Sequence, residues 1–256
     1  MSIIQSIVLS IIEGITEFLP ISSTGHMILA SSLMHIQESS FVKTFEISIQ
    51  IGAIMAIVML YYKQFLKGFS IYLKLGIAFI PTGVLGFLAY NFIKTYLFNP
   101  VTVSISLIVG GVVLILIDRR VSSQESKTVE LENITYKNAF LIGLVQSISM
   151  IPGVSRAAAT IIGGVFNGLD KKQAVEFSFL LAVPTMIAAT GYDLLKTPVV
   201  FSHQDIILLV IGLVVAFITA WIAVKVFLNL VKNYGFKYFG YYRIIIGIIF
   251  LLFMIK

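Results

Sequence analysis

The sequence predicts an all-α polytopic membrane protein with six transmembrane helices plus two re-entrant broken-helix hairpins, arranged as an inverted-topology repeat. Composition predicts the membrane class, because 58% of the 256 residues are hydrophobic and only 12% are charged, whereas soluble domains carry about a quarter charged residues. The mean hydropathy is +1.00. Two polar clusters inside otherwise apolar sequence predict the broken hairpins, since charge at membrane depth is costly and marks a functional site.

The first hairpin is predicted from two short apolar pieces. Ser2 to Leu19 ends at Pro20, and a second piece runs from His26 to Met34. Neither is a clean span of about 20 apolar residues. A hairpin that enters and leaves the membrane on one side fits better, provided that protein or a watery cavity surrounds its non-helical backbone.

Six further apolar segments predict the spans, and a second interrupted segment predicts the other hairpin. The hairpin is Ala139 to Phe166, broken at Pro152–Arg156. The spans are Ile47 to Tyr62, Ile71 to Tyr90 with Pro81 and Gly83 as a predicted kink, Val101 to Ile117, Ala174 to Tyr192 with Pro184, Asp205 to Leu228, and Tyr241 to Ile255. Proline is a usual cause of sharp helix kinks.

The two halves of the single membrane domain 1–256 resemble each other. Residues 1–117 form the first repeat, 118–137 a polar loop and 138–256 the second repeat. Lys43–Ser48 matches Gln173–Ser178, and Gly14–Glu17 matches Gly143–Gln146. Each half holds one hairpin and three spans, so the second copy must be inverted in the membrane, as in known membrane architectures.

Charge predicts the orientation. The net charge of +6 indicates basic cytoplasmic loops rather than nucleic-acid binding. With the loop after Tyr62 and the loop 118–137 placed in the cytoplasm, most Lys and Arg residues, including Arg243, fall inside or near the inner interface. The first hairpin then enters from outside. The chain has no cysteine, which excludes thiol catalysis and Cys-based metal sites.

The second hairpin tip is predicted to be an anion site. Pro152 and Gly153 allow a tight turn, and the alanine run that follows starts a helix whose free N–H groups point into the break. With Arg156 and the hydroxyls of Ser155 and Thr160, phosphate is the natural guest. The alternative is an arginine that snorkels to the interface.

The first hairpin tip has the opposite character. Glu13 and Glu17 are four residues apart and share one helix face, where they could hold Mg²⁺ or Ca²⁺. His26 can transfer a proton near neutral pH, and Ser22 or Ser23 can act as a nucleophile beside a base. We prefer Ser23, three residues before His26 and within expected reach of its imidazole. Direct attack by water, with His26 as base, is the alternative.

These motifs carry a family resemblance. Residues Glu13–His26 and Pro152–Arg156 with Thr160 resemble the two signature motifs of the bacterial undecaprenyl-diphosphate phosphatase family, also known as bacitracin-resistance proteins, and the resemblance covers the whole chain. It implies an integral membrane hydrolase that removes one phosphate from the C55 lipid carrier diphosphate. The sequence departs at Ala157–Ala158, where the family usually reads Ser-Gly.

The resemblance also implies site residues and partners. Catalytic roles fall to Glu17, Ser22, Ser23, His26 and Arg156; substrate phosphate binding to Gly153, Ser155, Arg156, Thr160 and Thr24; a divalent cation (Mg²⁺ or Ca²⁺) to Glu13 and Glu17. The expected partners are a polyprenyl diphosphate and membrane lipids, with no nucleic acid and the oligomeric state, a homodimer included, left open. We expect a bacterial cytoplasmic membrane location, with the site opening outward to recycle the carrier for cell-wall synthesis.

Two alternatives stay open. Glu46 and Glu176 occupy equivalent repeat positions, where they either line the cavity or anchor it by hydrogen bonds. In function, the competing class is a transporter or flippase for a lipid phosphate or small anion, because inverted repeats with broken helices suit alternating access. Transport needs no nucleophile, so phosphate release by purified protein in detergent discriminates the two.

Overall fold

The chain is helical in the parts that the structure, a computed structural model, describes: residues 1–121, 131, 134–196 and 201–254, where no strand occurs. The α-helices in these parts are α1 (Ile3–Thr16), α2 (Ser23–Leu33), α3 (Ser40–Leu60), α4 (Tyr62–Leu66), α5 (Phe69–Phe92), α6 (Pro100–Val121), α7 (Tyr136–Gln146), α8 (Arg156–Phe166), α9 (Lys171–Lys196), α10 (His203–Tyr234) and α11 (Lys237–Met254). A π-helical turn (Ile93–Leu97) follows α5, and a 3₁₀ turn (Ser147–Met150) follows α7.

The long helices make this a polytopic membrane protein. Within the described ranges, five helices are long and apolar enough to cross a membrane: α3, α5, residues Pro100–Arg119 of α6, α9 and α10. Pro81 and Pro184 lie inside α5 and α9, which are each assigned as one continuous helix. The predicted sixth span, Tyr241 to Ile255, overlaps α11, which is not one of these five helices, and Ile255 lies outside the described residues.

Both predicted breaks are present, although one boundary is wrong. The first break separates α1 from α2 and the second separates α7 from α8. The helix after the first break begins at Ser23 rather than His26, so Ser23 to Gly25 form its first turn instead of a separate turn. The reason is Ser22, whose hydroxyl caps the helix by accepting the Gly25 N–H at 3.4 Å.

Each short helix before a break packs closely on a long helix of the other half of the chain. Helix α1 lies along α10, and α7 lies along α5. A Cβ added to Gly14 would overlap Thr219 and the Ala216 carbonyl, and one added to Gly143 would overlap the backbone of Ala78. These two glycines, matched in the sequence repeat, therefore permit equivalent close contacts.

The polar loop is shorter than the predicted 118–137 because the helices on either side of it extend into that range. Helix α6 continues to Val121 and α7 begins at Tyr136. Asp118 is buried, and its Oδ1 accepts hydrogen bonds from Lys171 Nζ at 2.7 Å and from the Phe236 N–H at 2.9 Å. It thus joins α6 to α9 and to the short connection between α10 and α11 rather than facing water. Residues 122–130, 132 and 133 of this loop lie outside the described residues.

The main apolar core reaches the first break through Phe18. This side chain is fully buried and meets Phe179 of α9 edge to face, with ring centroids 5.7 Å apart. Full burial of such a ring contributes about 1.5–3 kcal/mol. The backbone between α1 and α2 is therefore anchored in the same core that carries α9.

Candidate active site

The two broken hairpins meet at one carboxylate. Glu17, directly after α1, is only 8% exposed. Its Oε2 accepts a hydrogen bond from Ser23 Oγ at 2.5 Å, and its Oε1 accepts one from Arg156 Nη2 at 3.1 Å. A buried carboxylate thus contacts a hydroxyl from its own half of the chain and a guanidinium from the other half.

Two serines with the same unusual backbone produce this convergence. Ser22 has φ 70° and Ser155 has φ 74°, a left-handed conformation that is uncommon outside glycine. Each caps the following helix: Ser22 accepts the Gly25 N–H, and Ser155 accepts the Ala158 N–H at 3.2 Å. Ser23 and Arg156 are consequently the first residues of α2 and α8, and each projects to Glu17.

Arg156 is held on several sides and keeps one free donor. Its Nη1 donates to the carbonyl of Ser178 at 3.0 Å, and its Cζ lies 5.6 Å from the centroid of the Phe18 ring. Its Nε is buried and has no hydrogen-bond partner. An unsatisfied buried donor needs an explanation such as an absent ligand, and an oxyanion would satisfy it.

Thr160, predicted to bind phosphate, is instead bonded inside the bundle. Its hydroxyl is fully buried, within 2.9 Å of the Arg156 carbonyl and 2.5 Å from Ser178 Oγ. The hydroxyl therefore fastens the first turn of α8 to α9. Gly153, with φ 93°, approaches α6 so closely that an added Cβ would lie 2.9 Å from Val103 Cα.

His26 does not make its predicted contact with Ser23. Its Nδ1 lies 2.8 Å from the Ser22 carbonyl and its Nε2 lies 2.7 Å from Tyr242 Oη, with the two rings parallel and stacked. The prediction was wrong because Ser23 is the first residue of α2 and turns its hydroxyl toward Glu17. A carbonyl only accepts, so Nδ1 carries the proton in the neutral ring and Tyr242 donates to Nε2.

A large cavity lies on the Glu13 side of this cluster. Its volume is about 940 Å³, and Glu13, Thr24 and Glu46 are among its lining residues. Glu13 is buried next to Glu17, and its Oε1 has no hydrogen-bond partner. Glu46 therefore lines the cavity, whereas Glu176 forms a 3.9 Å ion pair with Lys172.

The carboxylates have the chemistry that a hard cation needs. Glu13 offers a free buried oxygen and Glu17 lies beside it, while both Glu17 oxygens already contact Ser23 and Arg156. Among the described residues no group of three His, Cys, Asp or Glu side chains is close enough to hold a metal ion. A cation bound between these two carboxylates would therefore need substrate or water oxygens as further ligands.

Arg243 is the residue whose structural role sequence reasoning missed. It was counted among the charges inside or near the inner interface, and the structure shows its side chain fully buried in the protein. Its guanidinium donates to five backbone carbonyls, which belong to Pro20, Ser106, Leu107, Gly153 and Val154, at 2.9–3.3 Å. The sequence held a signal that Arg243 is buried. A long apolar run follows Arg243, and apolar residues likewise flank Arg156, which the sequence analysis did single out.

Comparison with known proteins gives one consistent family. Residues 6–249 match the family described as bacitracin resistance protein BacA. The chain is 51% identical to the undecaprenyl-diphosphatase of Wolinella succinogenes over 99% of both chains. It is 52% identical to the undecaprenyl-diphosphatase of Persephonella marina over the full length of both, and 49% identical to that of Aquifex aeolicus over 98% of both.

Proposed function

Because the chain belongs to the bacitracin resistance protein BacA family, we propose that it is an undecaprenyl-diphosphate phosphatase. It hydrolyses undecaprenyl diphosphate to undecaprenyl phosphate and inorganic phosphate, which recycles the lipid carrier for cell-wall synthesis and confers bacitracin resistance. The observation that carries this function is the convergence of Ser23 and Arg156 on the buried Glu17. The three groups supply a nucleophile, a phosphate clamp and a base at one point.

Ser23 is the nucleophile that the geometry favours, and Glu17 is its base. Glu17 Oε2 is already hydrogen-bonded to Ser23 Oγ, as a general base must be. Oγ attacks the terminal phosphorus while its proton passes to Glu17. The bond from that phosphorus to the bridging oxygen breaks, undecaprenyl phosphate leaves with the proton, and water then hydrolyses the phosphoserine. Direct attack by water remains the alternative.

The second hairpin supplies the phosphate site. Arg156 Nε is the buried donor without a partner, and the first N–H groups of α8 are free of intrahelical bonds. Ser155 and Gly153 shape the loop that leads into this helix. Preorganised donors of this kind stabilise the charge that develops in phosphoryl transfer. Thr24, on the cavity wall, is assigned to the same phosphates.

Glu13 and Glu17 are proposed to hold the divalent cation, Mg²⁺ or Ca²⁺. The unpartnered Glu13 oxygen supports this assignment. When bound, the cation supplies positive charge that neutralises the diphosphate oxygens. Added Mg²⁺ or Ca²⁺ should support phosphate release and a chelator should abolish it. Full activity in excess chelator would remove the cation from the mechanism.

The finer architecture that we propose is six spans with two re-entrant hairpins in an inverted repeat: 1–117, then a cytoplasmic loop at 118–137, then 138–256. The matched serine caps and the crossed packing of α1 on α10 and α7 on α5 support it. Taking Arg243 out of the interfacial charges still leaves most Lys and Arg inside. We therefore keep the outward-opening site, the bacterial cytoplasmic membrane as location, and a homodimer as an open option.

Cysteines introduced at Lys94 and Lys127 test the orientation, since the chain has no cysteine of its own. Lys94 should react with an impermeant label from outside the cell and Lys127 only from the cytoplasm. The residue 127 lies outside the described residues. Labelling of position 94 only from the cytoplasm would overturn the orientation and, with it, the outward-opening site.

Phosphate release from undecaprenyl diphosphate by the purified protein in detergent tests the function itself. Detergent removes the two compartments, so transport cannot contribute to the signal. We expect release of one phosphate per lipid, and its loss in Glu17→Gln protein purified to the same folded yield. A folded protein that binds the lipid but releases no phosphate would contradict the proposal and favour the transporter.

A further inference from the structure

We infer that Arg243 is a positioning residue for the phosphatase reaction, one that holds the two hairpin tips in the register that brings Ser23 and Arg156 to the same carboxylate. The first tip is defined as residues 17–22 and the second tip as residues 151–155. The inference rests on the proposed function for its kinetic part. Its structural part, the distance between the tips, stands independently of which reaction the protein catalyses.

The contacts of Arg243 join three separate segments. Its Nη1 donates to the Pro20 carbonyl of the first tip at 3.0 Å and to the Val154 carbonyl of the second tip at 2.9 Å. Its Nη2 donates to the Gly153 carbonyl at 2.9 Å. The same nitrogen, Nη1, therefore bridges both tips directly, and the remaining donors fix the guanidinium to α6.

Only an arginine fits this arrangement. A guanidinium offers five N–H donors in a rigid planar fork, whereas a lysine ammonium is a point charge with three donors. All five acceptors are backbone carbonyls, three in the two tips and two in α6. The carbonyls of the tips cannot move to meet a different side chain unless the tips move with them. Gly110 of α6 leaves the space for the guanidinium, because a Cβ there would overlap Arg243 Nη2.

The bonds also set the direction of the second tip's N–H groups. In a planar trans peptide the C=O and the following N–H point in opposite directions. Holding the Val154 carbonyl on Arg243 therefore turns the Ser155 N–H away from α11. Ser155 in turn caps α8 and so fixes the start of that helix, where Arg156 is the first residue. Loss of Arg243 would free this peptide, and Arg156 would lose its alignment with Glu17.

Arg243 is a positioning residue rather than a catalytic one, because its donors are used on backbone carbonyls and it makes no contact with Glu17, Ser23 or Arg156 among the hydrogen bonds of the described residues. Misplacement of reacting groups by about 1 Å can reduce a rate about a hundredfold. We therefore expect Arg243→Lys to lower kcat by about 10- to 100-fold and to change KM less than kcat, since Arg156 keeps its charge near the phosphate but loses its alignment with Glu17.

The test pairs kinetics with a distance measurement. Spin labels are attached to cysteines introduced at two exposed positions, Ile15 just before the first tip and Ile151 at the start of the second tip, in the otherwise cysteine-free full chain. Dipolar coupling between the labels reports the distance between the tips. Arg243→Lys and Gly110→Ala should both broaden or shift the distance and lower kcat. Lys237→Gln, an exposed cation on the same helix, should change neither.

Each outcome decides the inference. An unchanged distance in both variants, or kcat within twofold of the parent, would overturn it. Failure of both variants to insert and fold would also overturn it, because Arg243 would then be a folding requirement. If the parent itself releases no phosphate, the proposed function fails, but a broadened distance in the two variants would still uphold the link between the tips.

Discussion

The two hairpin tips have the same backbone conformation at their serine caps and differ in the charge of their side chains. Ser22 and Ser155 both have a positive φ and cap the next helix, which makes Ser23 and Arg156 equivalent first residues. The first hairpin then contributes a carboxylate and a hydroxyl, and the second contributes a guanidinium. One local fold, used twice, can therefore supply chemically complementary groups when its two copies face each other.

Glu17 and the residue that matches it in the second half show the same division. Glu17 matches Gln146 in the repeat. Glu17 bonds Ser23 and Arg156, whereas the amide of Gln146 donates to the hydroxyls of Thr82 and Thr185 at 2.9 and 3.3 Å. The carboxylate therefore contacts the groups that we propose to react, whereas the amide is a packing contact between α7, α5 and α9. Each prediction below tests one side of this asymmetry.

Replacing Glu17 should have the largest effect. Glu17→Ala, and Glu17→Gln, which makes the first hairpin resemble the second, remove the base for Ser23 and the partner of Arg156. We expect kcat/KM to fall by about 10³- to 10⁴-fold, at the upper end of general-base contributions, at matched membrane insertion. Gln146→Ala is the control, and it should reduce thermal stability but leave activity within about tenfold, since each lost hydrogen bond contributes about 1 kcal/mol. Glu17→Gln with more than a tenth of parent activity would contradict the assignment.

Replacing Ser23 should be nearly as damaging and should differ sharply from replacing Ser22. If Ser23 is the nucleophile, Ser23→Ala should lower kcat by at least about a thousandfold, as in other enzymes that lose a nucleophile. Ser22→Ala should mainly lose a helix cap, at about 1 kcal/mol of stability. Acid trapping of a phosphoserine would map the residue directly. A phosphate on Ser22 would refute our choice, and repeated failure to trap any would favour water.

Replacing Arg156 by lysine should be nearly as harmful as replacing it by alanine. Lysine keeps the charge but cannot hold the Ser178 carbonyl, Glu17 and a phosphate oxygen at once. We expect a loss of about 2–4 kcal/mol of transition-state stabilisation, or two to three decades in kcat/KM. A lysine variant within about fivefold of the parent, where tenfold corresponds to about 1.4 kcal/mol, would show that charge alone suffices.

Removing the hydroxyl of Tyr242 should have the smallest effect. Tyr242→Phe deletes the bond to His26 Nε2 but leaves the Glu17–Ser23 pair untouched. We expect kcat to fall by no more than about fivefold, the size of one neutral hydrogen bond, with the pH–rate profile unchanged. A displaced profile would indicate that His26, rather than Glu17, transfers the proton in the rate-limiting step.

Local patterns along the chain were enough to predict the membrane class, both breaks and the chemical character of each tip. Apolar runs of span length and proline-glycine breaks are local signals, and they carry their meaning without any tertiary contact. Glu17 and Arg156 became candidates because each is a charge inside an apolar run, and Ser23 became one because it lies in the polar turn after Glu17. A charge inside an apolar run is unfavourable unless the fold gives it a partner.

Which of these groups contact each other depends on how the helices pack. The spacing of Ser23 and His26 suggested a contact, but the left-handed Ser22 turned Ser23 toward Glu17 and left His26 to Tyr242. Thr160 was predicted to bind phosphate, and the structure adds that its hydroxyl bonds Ser178 Oγ and so joins α8 to α9. Arg243 looked interfacial and lies buried between the tips. Its partners are backbone carbonyls, which every residue carries, so no pattern of side chains could have revealed them.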